Sequence, residues 1–232
     1  MAYQTIPASS ASGVTLPDVV LARARTLLGS TITHVMGSDL ETSNWYTATL
    51  TGSATNALST TESGGIVTMA SSATAGGVSR IRPVGLGNLL ANPTTSLWYA
   101  KSRFRINTTI DAAAYCAFGI ADATAAAPAI FMGGMGTRST ANFSYDIFNN
   151  ASGAAGGASL GVALDTAFHV FEMWGDTVNF YFAIDGVTLT SLAIPATTTN
   201  SCQPQFFITN GVTNANRSVG ADDIWLCCAN QA

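Results

Sequence analysis

The chain has 232 residues, nine of them Lys or Arg and 13 Asp or Glu, so 9% are charged. An ordinary soluble domain carries about a quarter. With 47% hydrophobic residues and a formal net charge of −4, it is neither a charge-rich disordered chain nor a nucleic-acid binder that works by bulk charge. One large core is within reach, since all-β sandwiches of about 200–250 residues occur as single domains.

Along the chain, Thr15-Leu16-Pro17-Asp18 reads as a helix start: a hydroxyl cap, Pro in the first turn, and an acid three residues after the cap. Val20, Leu21, Ala24, Leu27 and Leu28 recur at helical spacing and Gly29 is a stop, which predicts an amphipathic helix over 16–28. Residues 1–38 are taken as an N-terminal arm and residues 39–232 as the main domain. Val20, Leu21, Leu27 and Leu28 then either pack on the parent domain or dock on a partner subunit.

Beyond Asp39 the pattern changes to short alternating strands, expected at 45–50, 65–70, 78–82, 97–106, 115–121, 143–148, 168–174, 178–184, 187–194, 204–209 and 218–227. Gly175-Asp176-Thr177 and Asp185-Gly186 place tight-turn residues between strands and predict two consecutive hairpins. The small-residue stretches at 123–127 and 149–159 are expected to be loops. No internal repeat is present.

The mean hydropathy of +0.30 comes from scattered apolar residues. The longest uncharged run, Gly186 to Asn216, is threaded with Thr, Ser and Asn and cannot supply about 20 consecutive apolar residues, so no membrane helix is expected. The first residues lack a cationic region followed by an apolar one, so no secretory signal is expected. The sequons at Asn107, Asn142, Asn150 and Asn216 are then read as chance matches. Cys116, Cys202, Cys227 and Cys228 lack zinc-ligand spacing and are expected to be reduced thiols.

Catalytic patterns are weak. Only three Glu occur, Glu41, Glu62 and Glu172, and the alternate neighbours of Glu172 are Val170 and Trp174, not acids. A glycan hydrolase needs a pair of carboxylates flanking the sugar bond. Asp222 and Asp223 are adjacent, so strand alternation would send them to opposite faces. Gly157-Ala158-Ser159-Leu160-Gly161 matches a nucleophile elbow, but it lies in a small-residue loop ahead of a strand. With only His34 and His169 in the chain, partners for it are few. Gly133-Gly134-Met135-Gly136-Thr137 lacks the Lys of a phosphate loop and reads as a hairpin or loop. Asp111, Asp122, Asp146 and Asp165 are too scattered to indicate a calcium site. No catalytic residue, metal or cofactor is expected.

One pattern stands out. Arg80 and Arg82, then Lys101, Arg103 and Arg105, recur at alternate positions, which on strands projects each set to one face. The other face of the second strand would be Trp98, Ala100, Ser102, Phe104 and Ile106, a core face. The five cations are either ordinary solvated or ion-paired residues or a positive surface for an acidic partner or anionic glycan.

The stretches Phe168–Trp174 and Val178–Gly186, then Pro204–Ile208 and Ala221–Leu226, form a strand, a Tyr-x-x-x-Asp-Gly hairpin, a strand and a closing Asp-Asp-Ile-x-Leu strand. Over residues 45–228 this resembles the concanavalin A-like, laminin-G-like jelly roll, particularly as found in tailed-phage virion proteins. The resemblance implies an all-β antiparallel jelly-roll β-sandwich with a short N-terminal arm and helix. It also implies a non-enzymatic virion structural protein assembled in the host cytoplasm. A capsid decoration (cement) protein is expected first, as a homo-oligomer touching the major capsid protein or other virion proteins, without nucleic acid or membrane. The alternative is a fibre or spike component, or a carbohydrate-binding receptor-recognition lectin using exposed aromatics such as Tyr99, Tyr115 or Tyr181.

Overall fold

The computed structural model describes residues 16–38, 40, 46–59, 65–72, 77–83, 96–107, 115–122, 131–137, 141–149, 153–194, 202–209 and 217–229. The arm ahead of residue 16, Glu41, Glu62, Asp111, the 123–127 link and the sequons at Asn150 and Asn216 lie outside these residues.

Helix α1 runs from Leu16 to Leu28, as its apolar spacing predicts. Gly29 ends it at φ +90°, with its N–H donating to the Arg25 carbonyl at 2.8 Å. Fifteen strands follow among the described residues: β1 (Ile32–Ser38), β2 (Tyr46–Thr51), β3 (Thr55–Leu58), β4 (Val67–Ala70), β5 (Val78–Pro83), β6 (Trp98–Ile106), β7 (Tyr115–Asp122), β8 (Phe131–Thr137), β9 (Asn142–Asn149), β10 (Gly153–Ala163), β11 (His169–Gly175), β12 (Asn179–Ile184), β13 (Val187–Ala193), β14 (Cys202–Thr209) and β15 (Ser218–Ala229).

They form two antiparallel sheets. The larger has the order β13-β12-β11-β6-β15-β4-β3, with β1 also pairing β15; the smaller has β10-β9-β8-β7-β14-β5-β2. β15 is long enough to serve three neighbours: β6 along one edge, β4 beside residues 218–221, and β1 beside 224–229 on the other edge. The inner faces meet in one core that includes Phe104, Phe118, Phe143, Phe171, Phe182 and Phe206. Phe104 stacks on Phe171 and meets Phe206 edge-on. This is an antiparallel jelly-roll β-sandwich, with sheets packed through alternating inward residues.

A second apolar layer lies outside the larger sheet. Val20, Ala24, Ile32, Tyr99, Trp174, Ala183, Trp225 and Cys227 are buried together, with Leu21, Leu27, Leu28 and Val35 packed against them. The expected arm is corrected in two places. Ile32–Ser38 is a strand of the larger sheet. The apolar stripe of α1, expected as a possible dock for a partner, packs on the chain's own sheet, because the outward Tyr99, Trp174 and Trp225 supply large apolar surfaces for it. β1 reaches Trp225 through Gly37, where a Cβ would clash with the Ile224 carbonyl oxygen. No larger residue fits there without moving the strand.

One expected loop is a strand: the 149–159 stretch enters β10, paired with β9. Gly133–Thr137, expected as a hairpin or loop, belongs to β8, which pairs antiparallel with β7 and β9. The first is rich in Gly and Ala and the second in Gly, and neither carries an apolar alternation. Their extended form is held by main-chain bonding to neighbours that do alternate. The two expected hairpins are present, with Asp185 and Gly186 at φ +52° and +80° in the second turn.

Candidate functional site

The outer face of the larger sheet gathers much of the charge that the chain carries on described strands. Strand register organises it in rows. One row runs Cys227, Tyr99, Trp174, Tyr181, Ser191 across β15, β6, β11, β12 and β13. The next runs Trp225, Lys101, Glu172, Ala183, and the third Asp223, Arg103, Val170.

Glu172 is the centre of the second row and only 4% exposed. A carboxylate so placed needs partners. It accepts from Arg23 Nε of α1 and from the Tyr99 hydroxyl, each at 2.8 Å. The Glu172 hydrogen bond raises the Arg23 pKa against the cost of burial. Burial, then the neighbouring Glu172 charge, pushes the Tyr99 phenol far up. One ion pair thus ties the helix to the sheet. Beside it opens a groove of about 480 Å³ lined by Val19, Val20, Arg23, Tyr99, Lys101, Val170, Glu172, Asp185 and Gly186, a volume in the range of small-ligand sites.

The third row overturns the expectation for the adjacent acids. Between Ala221 and Asp223 the register of β15 against β6 shifts by one residue. This β-bulge breaks the alternation, so both carboxylates meet the outward cations of β6. Asp223 accepts from Lys101 Nζ and from the Arg103 main-chain N–H, each at 2.6 Å. Asp222 accepts from Arg103 Nη1. Burial and then the adjacent Asp223 raise the Asp222 pKa, with Arg103 acting against them. Arg103 and Arg105 also lie against the Phe168 ring, 4.3 and 4.7 Å from its centroid, a cation–π arrangement.

At the groove rim, His169 Nδ1 lies 2.6 Å from Asp185 Oδ2 and Nε2 lies 3.0 Å from Asp165 Oδ1. Both nitrogens can donate only when the ring is protonated. Burial works against that charge, but the hydrogen bonds to Asp185 and Asp165 outweigh it and hold the His169 pKa above its ordinary value.

The five cations singled out by spacing do not form one surface. Lys101, Arg103 and Arg105 share the outer face of β6 in the larger sheet. Arg80 and Arg82 sit on β5 in the smaller sheet, alternating with the core residue Ile81, and so face the opposite side of the sandwich. Arg80 is 6% exposed and donates to Thr49 Oγ1 at 3.1 Å. Of the three candidate tyrosines, Tyr99 is buried and Tyr181 is partly exposed. Tyr115 starts β7, and its side chain lies outside the description. Ser159 of the apparent nucleophile elbow sits inside β10, not on a strand-to-helix turn. Burial pushes the Cys227 thiol up to about 12, and Cys116, Cys227 and Cys228 are buried free thiols. Among the described residues no cluster of His, Cys, Asp and Glu is arranged to hold a metal.

Alternation marked the β6 cations as outward. What it missed was their partners, the bulged Asp222 and Phe168. The only available signal was the coincidence of an Asp-Asp pair in one strand with a Lys-x-Arg-x-Arg pattern in another.

No family model matches the chain, and no curated protein matches it. Among solved structures it is similar to a protein of unknown function from Shewanella oneidensis MR-1, with a TM-score of 0.64 and 17% identity over 99% of both chains. It is also similar to the binding domain of botulinum neurotoxin DC, solved in complex with rat synaptotagmin II, with a TM-score of 0.54 and 11% identity. That match covers 81% of this chain and 43% of the toxin chain. A third likeness is to a carbohydrate esterase of the Shiga toxin-encoding bacteriophage phi24B, with a TM-score of 0.52 and 16% identity over 85% of this chain and 100% of that one. At these identities the likeness is one of fold.

Proposed function

We propose that the chain is a non-enzymatic jelly-roll protein of a tailed-phage virion that recognises carbohydrate. The observation that carries the non-enzymatic part is the pairing of the outer-face acids. Glu172 is held by Arg23 and Tyr99, Asp223 by Lys101, Asp222 by Arg103, and Asp165 and Asp185 by His169. A glycan hydrolase needs one acid placed to give a proton and a second placed to attack or to activate water; here each of these acids is instead paired with a cation or a histidine. The same fixed alternation of donors and acceptors around the groove suits a ligand of hydroxyl groups. The phage and carbohydrate elements draw on the sequence resemblance and on the esterase of similar fold.

A second reading, a capsid decoration protein bound to the major capsid protein, is favoured by the exposed Val178 and Val187 at the two turns of the β11–β12–β13 meander. They are apolar contacts available to a neighbouring virion subunit. A fibre or spike component would use the same surface.

The test is a glycan panel run for both binding and turnover, with the copy number per particle measured alongside. Binding without hydrolysis is the expected outcome. Turnover lost on Glu172→Gln would sink the non-enzymatic reading. Hundreds of copies per particle would favour shell decoration, and a few would favour a tail or fibre.

A further inference from the structure

We infer that Tyr181 is the stacking platform for one neutral pyranose ring, one strand in from the β13 edge of the larger sheet and on the other side of Glu172 from the groove. The inference rests on the carbohydrate reading above and gives it a second, distinct contact point.

The aromatic row explains why this ring differs from its neighbours. Tyr99, at 1% exposure, and Trp174, at 6%, lie in the buried layer beneath α1. The helix lies over β1, β15 and β6, so Tyr181 on β12 falls beyond it and stays partly exposed. One face of the Tyr181 ring stacks on Trp174, with centroids 5.1 Å apart and planes within 7°. The other face looks across the sheet edge, where the residue directly opposite is Ser191 of β13. Ser191 and the nearby Ala193 are exposed and small, so neither fills the space beside the ring.

The ring is held rigidly. Its hydroxyl donates to Asp176 Oδ2 at 2.7 Å, and Asp176 Oδ1 accepts from the Val178 and Asn179 N–H groups at 2.9 and 2.7 Å. A preset aromatic face loses little entropy on binding. Its electron-rich surface attracts the polarised C–H face of a sugar. A cation would be attracted too, and Asp176 keeps its negative charge because its three donors are neutral, so competition by tetramethylammonium is the measurement that separates the two ligands. The Asn179 amide, beside the ring, carries both a donor and an acceptor for sugar hydroxyls.

The experiment uses the full chain with methyl glycosides of glucose, galactose and mannose and their short oligosaccharides. Titration calorimetry would be read together with saturation transfer from the aromatic protons. Tyr181→Ala is expected to weaken binding about tenfold, the scale of one aromatic contact, and Tyr181→Phe to stay within about threefold because the face remains. Ser191→Trp leaves Tyr181 in place and fills the space beside it, so it should abolish binding with an unchanged melting temperature. It keeps the test sound if Tyr181→Ala fails to fold. Wild-type affinity in Ser191→Trp would overturn the platform while leaving the carbohydrate reading standing. Absence of glycan binding by the wild-type chain would overturn both. Equal competition by tetramethylammonium would replace the sugar by a cation and overturn the proposal.

Discussion

On its inner face β6 presents Trp98, Ala100, Ser102, Phe104 and Ile106, none more than 3% exposed. On its outer face the same strand presents Tyr99, Lys101, Arg103 and Arg105, each engaged by a named partner on another element or a nearby residue. The inner face is organised by burial, which is non-directional and tolerates any neighbour of suitable shape. Ser102 is its one polar residue, and its hydroxyl donates to the Asp223 carbonyl at 2.6 Å. The outer face is organised by pairing, which depends on atom positions. The two faces should therefore respond to substitution by different amounts and under different conditions.

The largest effect is expected on the inner face. Phe104→Ala removes a ring stacked on Phe171 at 3.8 Å between centroids, and should destabilise by about 3–5 kcal/mol in urea unfolding. A loss below about 1 kcal/mol would mean that the site collapses to fill the space, and the contrast between faces would weaken. On the outer face Glu172→Gln leaves Arg23 without its ionic partner and the Tyr99 hydroxyl with a poorer acceptor. About 1–3 kcal/mol is expected. Adding Arg23→Met to Glu172→Gln should cost much less than the sum of the single changes, which separates a coupled pair from two independent contacts.

The smallest effect is expected at His169, and it distinguishes the faces by pH alone. Its folded pKa is raised by Asp185 and Asp165, so its contribution to stability is fully present below the unfolded value of about 6.5 and fades as pH rises through the folded value. Stability measured from pH 5 to pH 9 should fall relative to His169→Gln across that window. Parallel curves would show that folding leaves the ring's affinity for its proton unchanged. Phe104→Ala should show the same deficit at every pH in that range.

Much of the sandwich was legible because its strands alternate. β11 and β12 carry large apolar residues at every second position, β6 carries Trp98, Phe104 and Ile106 on one face, and the Asp185-Gly186 turn needs positive φ that few other pairs adopt. β8 and β10 were not legible, since glycine and alanine give no period, and β1 was absorbed into the arm because its pairing with β15 spans nearly the whole chain. In the candidate site the outward direction of Lys101, Arg103 and Arg105 was visible, but the bulge at Asp222 was not. Alternation assumes one residue per step, and only the opposing strand reveals where a step holds two.

The amino-acid sequence by itself determined the class of fold, the position of α1 and which side chains of the long strands face inward, because these follow from local periodicity and the cost of exposing apolar surface. Only the tertiary structure decided that α1 lies on its own sheet, that Arg80 and Arg82 part from the β6 cations, and that Tyr181 stands at the end of an aromatic row. Those outcomes depend on strand order and register, which join residues far apart in the chain, and no local pattern of residues encodes which distant strand will lie alongside.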